Sequence, residues 1–525
     1  MPAPLFVAAV AFALSPIPAP REPLHARIDQ LIAAGHPGYE TLAAPLASDA
    51  EFLRRVTLDL NGTIPTAAET RAFLADPDPD KRRKRIDRLL ASPAYARRMA
   101  QFFDVVLMER RRDNKVPRAA WEEYLRAAFA ANRPYDVLVR EMLSNDGGDP
   151  KTRAAAKFYL DRDFEPNLVT RDVGRVFLGR NMQCAQCHDH PIVADYRQED
   201  YYGILAFLKR SYLFPSATVP TAAIAEKVEG DTTFASVFDK AKKESKAAPH
   251  LPGGKPIAEP KPEKGKEYKV APAANVRPVP TYSRRELLAA AITAPENAAF
   301  ARTAANRLWA MMLGRGLVHP LDMDHPGNPP SHPELLDLLA AEFAAHNFDV
   351  KWLLRQIALS DTYQRSSEVP AGLTDVPPDR YLVANLKPLS PEQLAYAVVQ
   401  ATGPAQAVPD GKANVAAFVK VFGGRPGEPE DAFAATLDQS LFLKNGAVVR
   451  GLIAAKPGSL VDRLAKRTDP DAVADELFVS VLTRPPTDDE RKDVAAALKD
   501  VKDRQPALGE LVWALVASAE FRFNH

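Results

Sequence analysis

Ser48-Asp-Ala-Glu-Phe-Leu-Arg-Arg-Val-Thr-Leu-Asp-Leu60 is the stretch that decides the fold class. Ser48 followed three residues later by Glu51 is a capping box, in which each side chain satisfies a backbone N–H at a helix start. Phe52, Val56 and Leu60 then recur at helical spacing and mark one apolar face. The same device returns along the chain. Thr66-Ala-Ala-Glu69 leads into Phe73, and Ser331-His-Pro-Glu334 into Leu335, Leu336, Leu338 and Leu339. Ser390-Pro-Glu-Gln393 and Thr487-Asp-Asp-Glu490 open two further helices. Ser92-Pro93 puts a cap before a first-turn proline, with Met99, Phe102, Phe103 and Val106 following. Alternating β-branched runs are nearly absent. The reading is all-α, in helices of about 10 to 18 residues with proline-marked turns.

The 525 residues are enough for two to four domains and for a large core. Prolines number 47 of 525, about 9% against an average near 5%, which fits many short helices with firm stops. Lys+Arg is 68 and Asp+Glu is 67, a net charge of +1. A nucleic-acid binder usually carries a basic excess, so no nucleic-acid partner is expected. Two basic runs, Lys81-Arg-Arg-Lys-Arg-Ile-Asp-Arg88 and Arg110-Arg-Arg-Asp-Asn-Lys115, have acids interleaved and read as solvated helix faces.

One stretch breaks the helical pattern. Residues 241–280 hold eight prolines and eight lysines with no apolar period. They read as a semi-extended, exposed linker or insertion. The expected organisation is therefore two helical domains, 22–240 and 281–525, joined by a Pro/Lys-rich segment. At the N-terminus the apolar run Leu5–Leu14 precedes Ser15-Pro-Ile-Pro-Ala-Pro20. Ten apolar residues are too few to span a bilayer but fit a secretory signal, so residues 1–20 are expected to be a signal peptide and the chain periplasmic or secreted. No later segment has the length and apolarity of a membrane span, so the chain is not expected to be an integral membrane protein.

Cys184-Ala-Gln-Cys187-His188 carries the chemistry, and its two cysteines are the only ones in the chain. A disulfide framework is thereby excluded. Cys-x-x-Cys-His is the attachment pattern for haem c. Two thiols three positions apart can reach both vinyl groups of one porphyrin, and the next residue offers an imidazole to the iron. Phe177 and Leu178 are candidates to cover a ring face, and Arg175 and Arg180 to pair with propionates, although a solvated helix face is the preferred reading for both arginines. Met142 and His332 are candidates for a sixth ligand, and a five-coordinate iron is equally open. Two other readings stay open. The cysteines can form a local redox disulfide. Alternatively, the cysteines, His188 and His190 can hold a divalent metal without haem, with His332 as a further metal-ligand candidate. A second polar cluster, His319, Asp322, Asp324, His325 and His332, sits among prolines and glycines and matches no metal-binding spacing, so it reads as turn chemistry.

Standard hydrolase and nucleotide motifs are missing. There is no Gly-x-Ser-x-Gly, no His-Glu-x-x-His and no Gly-rich phosphate loop ending in Lys-Ser/Thr.

Phe52-Leu-Arg-Arg-Val-Thr-Leu-Asp-Leu-Asn-Gly-Thr-Ile-Pro-Thr66, Asp87-Arg-Leu-Leu-Ala-Ser-Pro-Ala-Tyr95 and Cys184-Ala-Gln-Cys-His-Asp-His-Pro191 resemble domain of unknown function 1549, a planctomycete family named for its cytochrome-c-like motif. The second half resembles its usual partner, domain of unknown function 1553. Asn306-Arg-Leu-Trp309, Gly314-Arg-Gly-Leu-Val318, Asn328-Pro-Pro-Ser-His-Pro-Glu-Leu-Leu336, Asp361-Thr-Tyr-Gln364 and Glu520-Phe-Arg-Phe-Asn-His525 carry that likeness. The resemblance spans nearly all of residues 45–525. It implies a secreted or periplasmic haem-binding protein and matches Cys184, Cys187, His188, Asp189, His190, His332 and His525. Relatives are often encoded near sulfatases and glycan-degrading proteins, which implies a setting beside polysaccharide breakdown.

The leading expectation is an exported haem c protein in electron transfer or redox sensing, with a redox partner protein and with Asp189 orienting a neighbouring imidazole. Its rivals are a haem-free metal protein or enzyme and a cell-surface interaction scaffold with a local disulfide.

Overall fold

A computed structural model describes residues 22–215, 222–241, 243–404, 412–430 and 435–525. The expected signal peptide, 1–20, lies outside these residues. Among them the chain forms 25 α-helices and four two-stranded antiparallel ribbons. The fold is α-helical, as the caps predict. No described helix is long and apolar enough to cross a membrane.

Most of the expected helix starts form as read. Thr66 with Glu69, Ser390 with Gln393 and Thr487 with Glu490 each make the reciprocal capping box. Ser92 accepts from the Ala94 N–H ahead of the helix Pro93–Met108. Two starts differ. Ser48 caps the helix Asp49–Asn61 by accepting from Glu51 N, but the Glu51 carboxylate turns instead to Arg55 and to the Ser367 N–H. At Ser331 no box forms. The helix Pro333–Ala345 begins one residue later, with His332 in the cap position. Pro333 suits a first helical position, while the Ser331 N–H donates to Leu317 O and its hydroxyl faces His332.

The helix Asp49–Asn61 is buried at every residue from Phe52 to Asn61. Phe52, Leu53, Val56 and Leu60 enter a core that gathers residues from Leu24 to Leu382. Leu58, on the opposite side, enters a second core built from Ile64 and from Leu389 to Phe521. The apolar interior thus divides near residue 385, well past the Pro/Lys-rich stretch. Arg54 and Arg55 reach across: Arg54 donates to Val481 O and Phe521 O, and Arg55 to Tyr363 O, Arg365 O and His525 O.

The Pro/Lys-rich stretch is docked on the first half. Ser245–Ala247 pairs with Thr232–Phe234, and Tyr268–Val270 with Val279–Pro280. Leu251 and Ile257 pack on the first core. Glu259 forms ion pairs with Arg210 and Arg284. His250 lies on the helix Gln198–Leu208 at Gly203, where an added Cβ would meet the imidazole at 2.4 Å. Its Nε2 is 3.5 Å from Asp200 Oδ1, which also accepts from Gly253 N at 2.8 Å. The hydrogen bond with Asp200 raises the His250 pKa, and burial opposes it. The stabilisation is therefore complete below the ordinary imidazole pKa and is lost as pH climbs through the raised value. Amide exchange at Gly253 and its neighbours is expected to quicken across that rise. His250→Asn should remove the pH step. An unchanged pH dependence in that variant would exclude His250 as its source.

The basic runs are neutralised in place. Lys81 and Arg82 pair with Asp49, Arg83 with Asp80, Lys84 with Asp78 and Arg85 with Glu69. Arg110 pairs with Glu392 and Glu430. They are not simple solvated faces, since Arg85 and Arg110 are largely buried.

Candidate functional site

The helix Pro166–Leu178 delivers the chain to the motif. Glu165 caps its start by accepting from Asn167 N and Leu168 N. Gly179 ends it at φ 65°, a left-handed turn that glycine adopts without strain. A Cβ there would also meet Thr303 Oγ1 at 2.8 Å, so the helix Ala298–Leu313 approaches closely at this point. Asn181 N donates to Asp322 O at 2.8 Å, and Asp324 N to Gly179 O at 3.0 Å. The loop from the second half is thus laddered onto residues 179–181, two residues ahead of the motif. This brings Met323 opposite Arg180.

Cys184–Gln186 then forms a single 3-10 turn, with Cys187 N donating to Cys184 O at 3.2 Å. Three residues per turn place positions 184 and 187 on one face and 182 and 185 on the other. Met182 and Ala185 are buried, and both thiols are exposed and free. The next carbonyl sets the histidine. His188 Nδ1 lies 2.6 Å from Asp189 O. A carbonyl only accepts, so Nδ1 is the donor, and in the neutral ring Nε2 is the nitrogen left with a lone pair. The His188 ring packs on Phe238 at 4.8 Å between centroids. Val237 N donates to Cys187 O at 3.1 Å, which fixes that neighbouring segment.

The Asp189 carboxylate does not orient an imidazole. It caps the helix Gln198–Leu208 by accepting from Gln198 N at 2.8 Å. Its carbonyl does the orienting instead. His190 is occupied in a turn: Nδ1 accepts from Ile192 N and Val193 N, and its backbone N–H donates to Tyr196 O. The Tyr196 ring stands between His190 and His325, with the Arg180 guanidinium 6.0 Å from its centroid.

Several sequence candidates are placed elsewhere. Phe177 and Leu178 are buried in the core, with Phe177 against Phe158, so they do not cover the motif. Arg175 is neither on a solvated face nor free for a propionate; it pairs with Glu109 and Asp172. Arg180 is 3.7 Å from Asp195. Met142 is fully buried. His332 is buried against Gly35 and Tyr381, and burial lowers its pKa. His525 is half-buried at the chain end, where burial lowers its pKa. Among the described residues no group of three His, Cys, Asp or Glu side chains is placed to hold a metal ion, so His188, His190 and His332 are not brought together. In the second polar cluster, His325 Nδ1 accepts from Gly327 N and Asp324 pairs with Arg302, in keeping with turn chemistry.

A cavity of about 510 Å³ lined by Arg111, Arg112, Asp113, Asn114, Asp161 and Pro426 contains none of the motif residues. Three of its four charged residues are already paired: Arg111 with Asp172, and both Asp113 and Asp161 with Lys157.

Phe238 and Val237 were outside the sequence reading. They lie about fifty residues after the motif, in a segment with no recognisable pattern, and only the fold joins them to it. Residues 27–212 match the family model PSCyt2, a protein of unknown function (DUF1549), and residues 284–421 match PSD1, a protein of unknown function (DUF1553). The order is the one the sequence motifs implied. No curated protein and no solved structure matches the chain.

Proposed function

We propose that this chain is an exported, periplasmic or secreted haem c protein acting in one-electron transfer or redox sensing. Cys184 and Cys187 would be the thioether anchors and His188 the axial ligand. The observation that carries the reading is the contact of His188 Nδ1 with Asp189 O at 2.6 Å, which leaves Nε2 as the nitrogen to ligate, beside two exposed thiols on one face of the same turn. A ligating histidine ordinarily donates its other ring N–H to a carbonyl or carboxylate, which orients it and raises its basicity.

Bound haem would supply a reversible one-electron couple. The protein's own part is positioning. The 3-10 turn aligns the thiols, the Asp189 carbonyl aims the imidazole, and the Asp189 carboxylate ties the turn to the helix Gln198–Leu208. A haem-free metal site is less well supported, because His190 Nδ1 already accepts two backbone N–H groups and the described residues contain no three-ligand cluster. A redox partner protein follows from the electron-transfer reading. A setting beside polysaccharide degradation rests on the sequence resemblance.

The test uses full-length protein from the periplasm of a host with haem c maturation. The reduced spectrum should show sharp α and β bands, and the intact mass should rise by one haem. Both should vanish in Cys184→Ala/Cys187→Ala. A colourless wild-type protein of unmodified mass would overturn the reading.

A further inference from the structure

The two most exposed large apolar side chains among the described residues are Ile192, at 88%, and Phe238, at 75%; Val237 is 66% exposed. All three lie beside the motif. Ile192 N donates to His190 Nδ1, Val237 N donates to Cys187 O, and the Phe238 ring packs on His188. The 232–238 segment is well anchored. Gln198 Nε2 lies between Gln186 O and Ala235 O, and Tyr202 stacks on Phe234 at 4.7 Å while donating to Gln186 O. A fixed backbone therefore presents apolar side chains to water around two free thiols. Exposed apolar clusters of this kind mark a surface that something covers. A small metal ion held at the motif would leave all three in water. A flat apolar macrocycle joined to Cys184, Cys187 and His188 would cover them.

We propose that Val237 and Phe238, together with Ile192, form the apolar wall against which the macrocycle lies, and so help set its reduction potential. This rests on the haem reading above. Apolar surroundings disfavour the more highly charged oxidised state, and opening them to water favours it. Val237 and Phe238 thus hold the potential up by excluding water, while the anchors hold the group in place.

The test compares wild type with Val237→Ser/Phe238→Ser, Ile192→Ser and the conservative Phe238→Leu, as full-length chains matured with haem. The serine variants should keep the one-haem mass increase, because the anchors are untouched. Their midpoint potential should shift lower, and their ferrous bands should move. Phe238→Leu should stay near wild type. Unchanged potential and spectrum in haem-bearing serine variants would overturn this inference and leave the haem reading standing. A wild-type dimer that dissociates in these variants with no change in potential would assign the patch to a second copy and overturn it equally. A haem-free wild type would overturn both readings.

Discussion

Asp59→Ala is expected to lower the stability of the fold by about 3–5 kcal/mol, the range for removing one partner of a buried ion pair. Asp59 is 2% exposed on the helix Asp49–Asn61. Its carboxylate accepts from Lys387 Nζ at 2.7 and 2.6 Å, from Tyr363 Oη at 2.8 Å and from Asn524 Nδ2 at 2.9 Å. The alanine variant leaves a buried ammonium with only the Met311 and Met312 carbonyls, takes the acceptor from the Tyr363 hydroxyl and leaves Asn524 Nδ2 with only Arg55 O at 3.4 Å. Burial already lowers the Lys387 pKa despite Asp59. Without the carboxylate, Lys387 would lose its proton more readily still. The cost falls where both cores meet, since Leu58 belongs to one and Leu60 to the other. Urea denaturation should show the lower midpoint. Asp59→Ala/Lys387→Met should recover much of the loss, because an apolar replacement of a buried pair is often near neutral. A loss under about 1 kcal/mol for Asp59→Ala would mean that water reaches Lys387 and that the site is not sealed.

That network also shows where sequence reading stops. Phe52, Val56 and Leu60 declare the helix because their spacing is local. Nothing local says that Arg54, Arg55 and Asp59 on the same helix are buried. Their partners lie some 300 to 470 residues away in the chain, at Tyr363, Val481, Phe521 and Asn524. The placement of the 241–280 stretch is hidden for the same reason. Proline and lysine content describes how a segment behaves alone. The docking of His250 in the space left by Gly203 is tertiary information, invisible to composition. The site divides likewise. The five residues from Cys184 to His188 are legible because their chemistry is contiguous. The surroundings are not legible, because proximity along the chain does not give proximity in space. Phe177 and Leu178 precede the motif but face the core, whereas Phe238 follows fifty residues later and touches His188.

Asp172→Ala should have an effect of similar size and should reach the motif. Asp172 is 4% exposed on the helix Pro166–Leu178. Its Oδ2 accepts from Arg162 Nε at 2.6 Å and from Arg111 at 3.2 Å, and its Oδ1 from Arg175 at 3.1 Å. The Arg162 side chain is completely buried. Its other donors reach Phe158 O and Leu107 O, which satisfy hydrogen bonds but not charge. Without Asp172, Arg111 and Arg175 keep Glu109, while Arg162 loses the carboxylate it pairs with. The expected loss is again about 3–5 kcal/mol, the cost of stranding a buried charge. Burial pushes the Asp172 pKa up, but the arginines outweigh it and the net shift is downward. The stabilisation is therefore present above the ordinary aspartate pKa and fades as pH falls toward the lowered value. The helix ends at Gly179, and the ladder from Gly179 to Asn181 carries the chain into the cysteine turn. Loosening the helix should thus raise amide exchange at Asn181 and Cys187 as well as lowering the urea midpoint. Asp172→Asn, which keeps one acceptor oxygen without the charge, should fall between wild type and alanine. If both variants unfold like wild type while exchange at Asn181 and Cys187 is unchanged, the motif is held by the second-half loop at Asp322–Asp324 and not by the helix that precedes it.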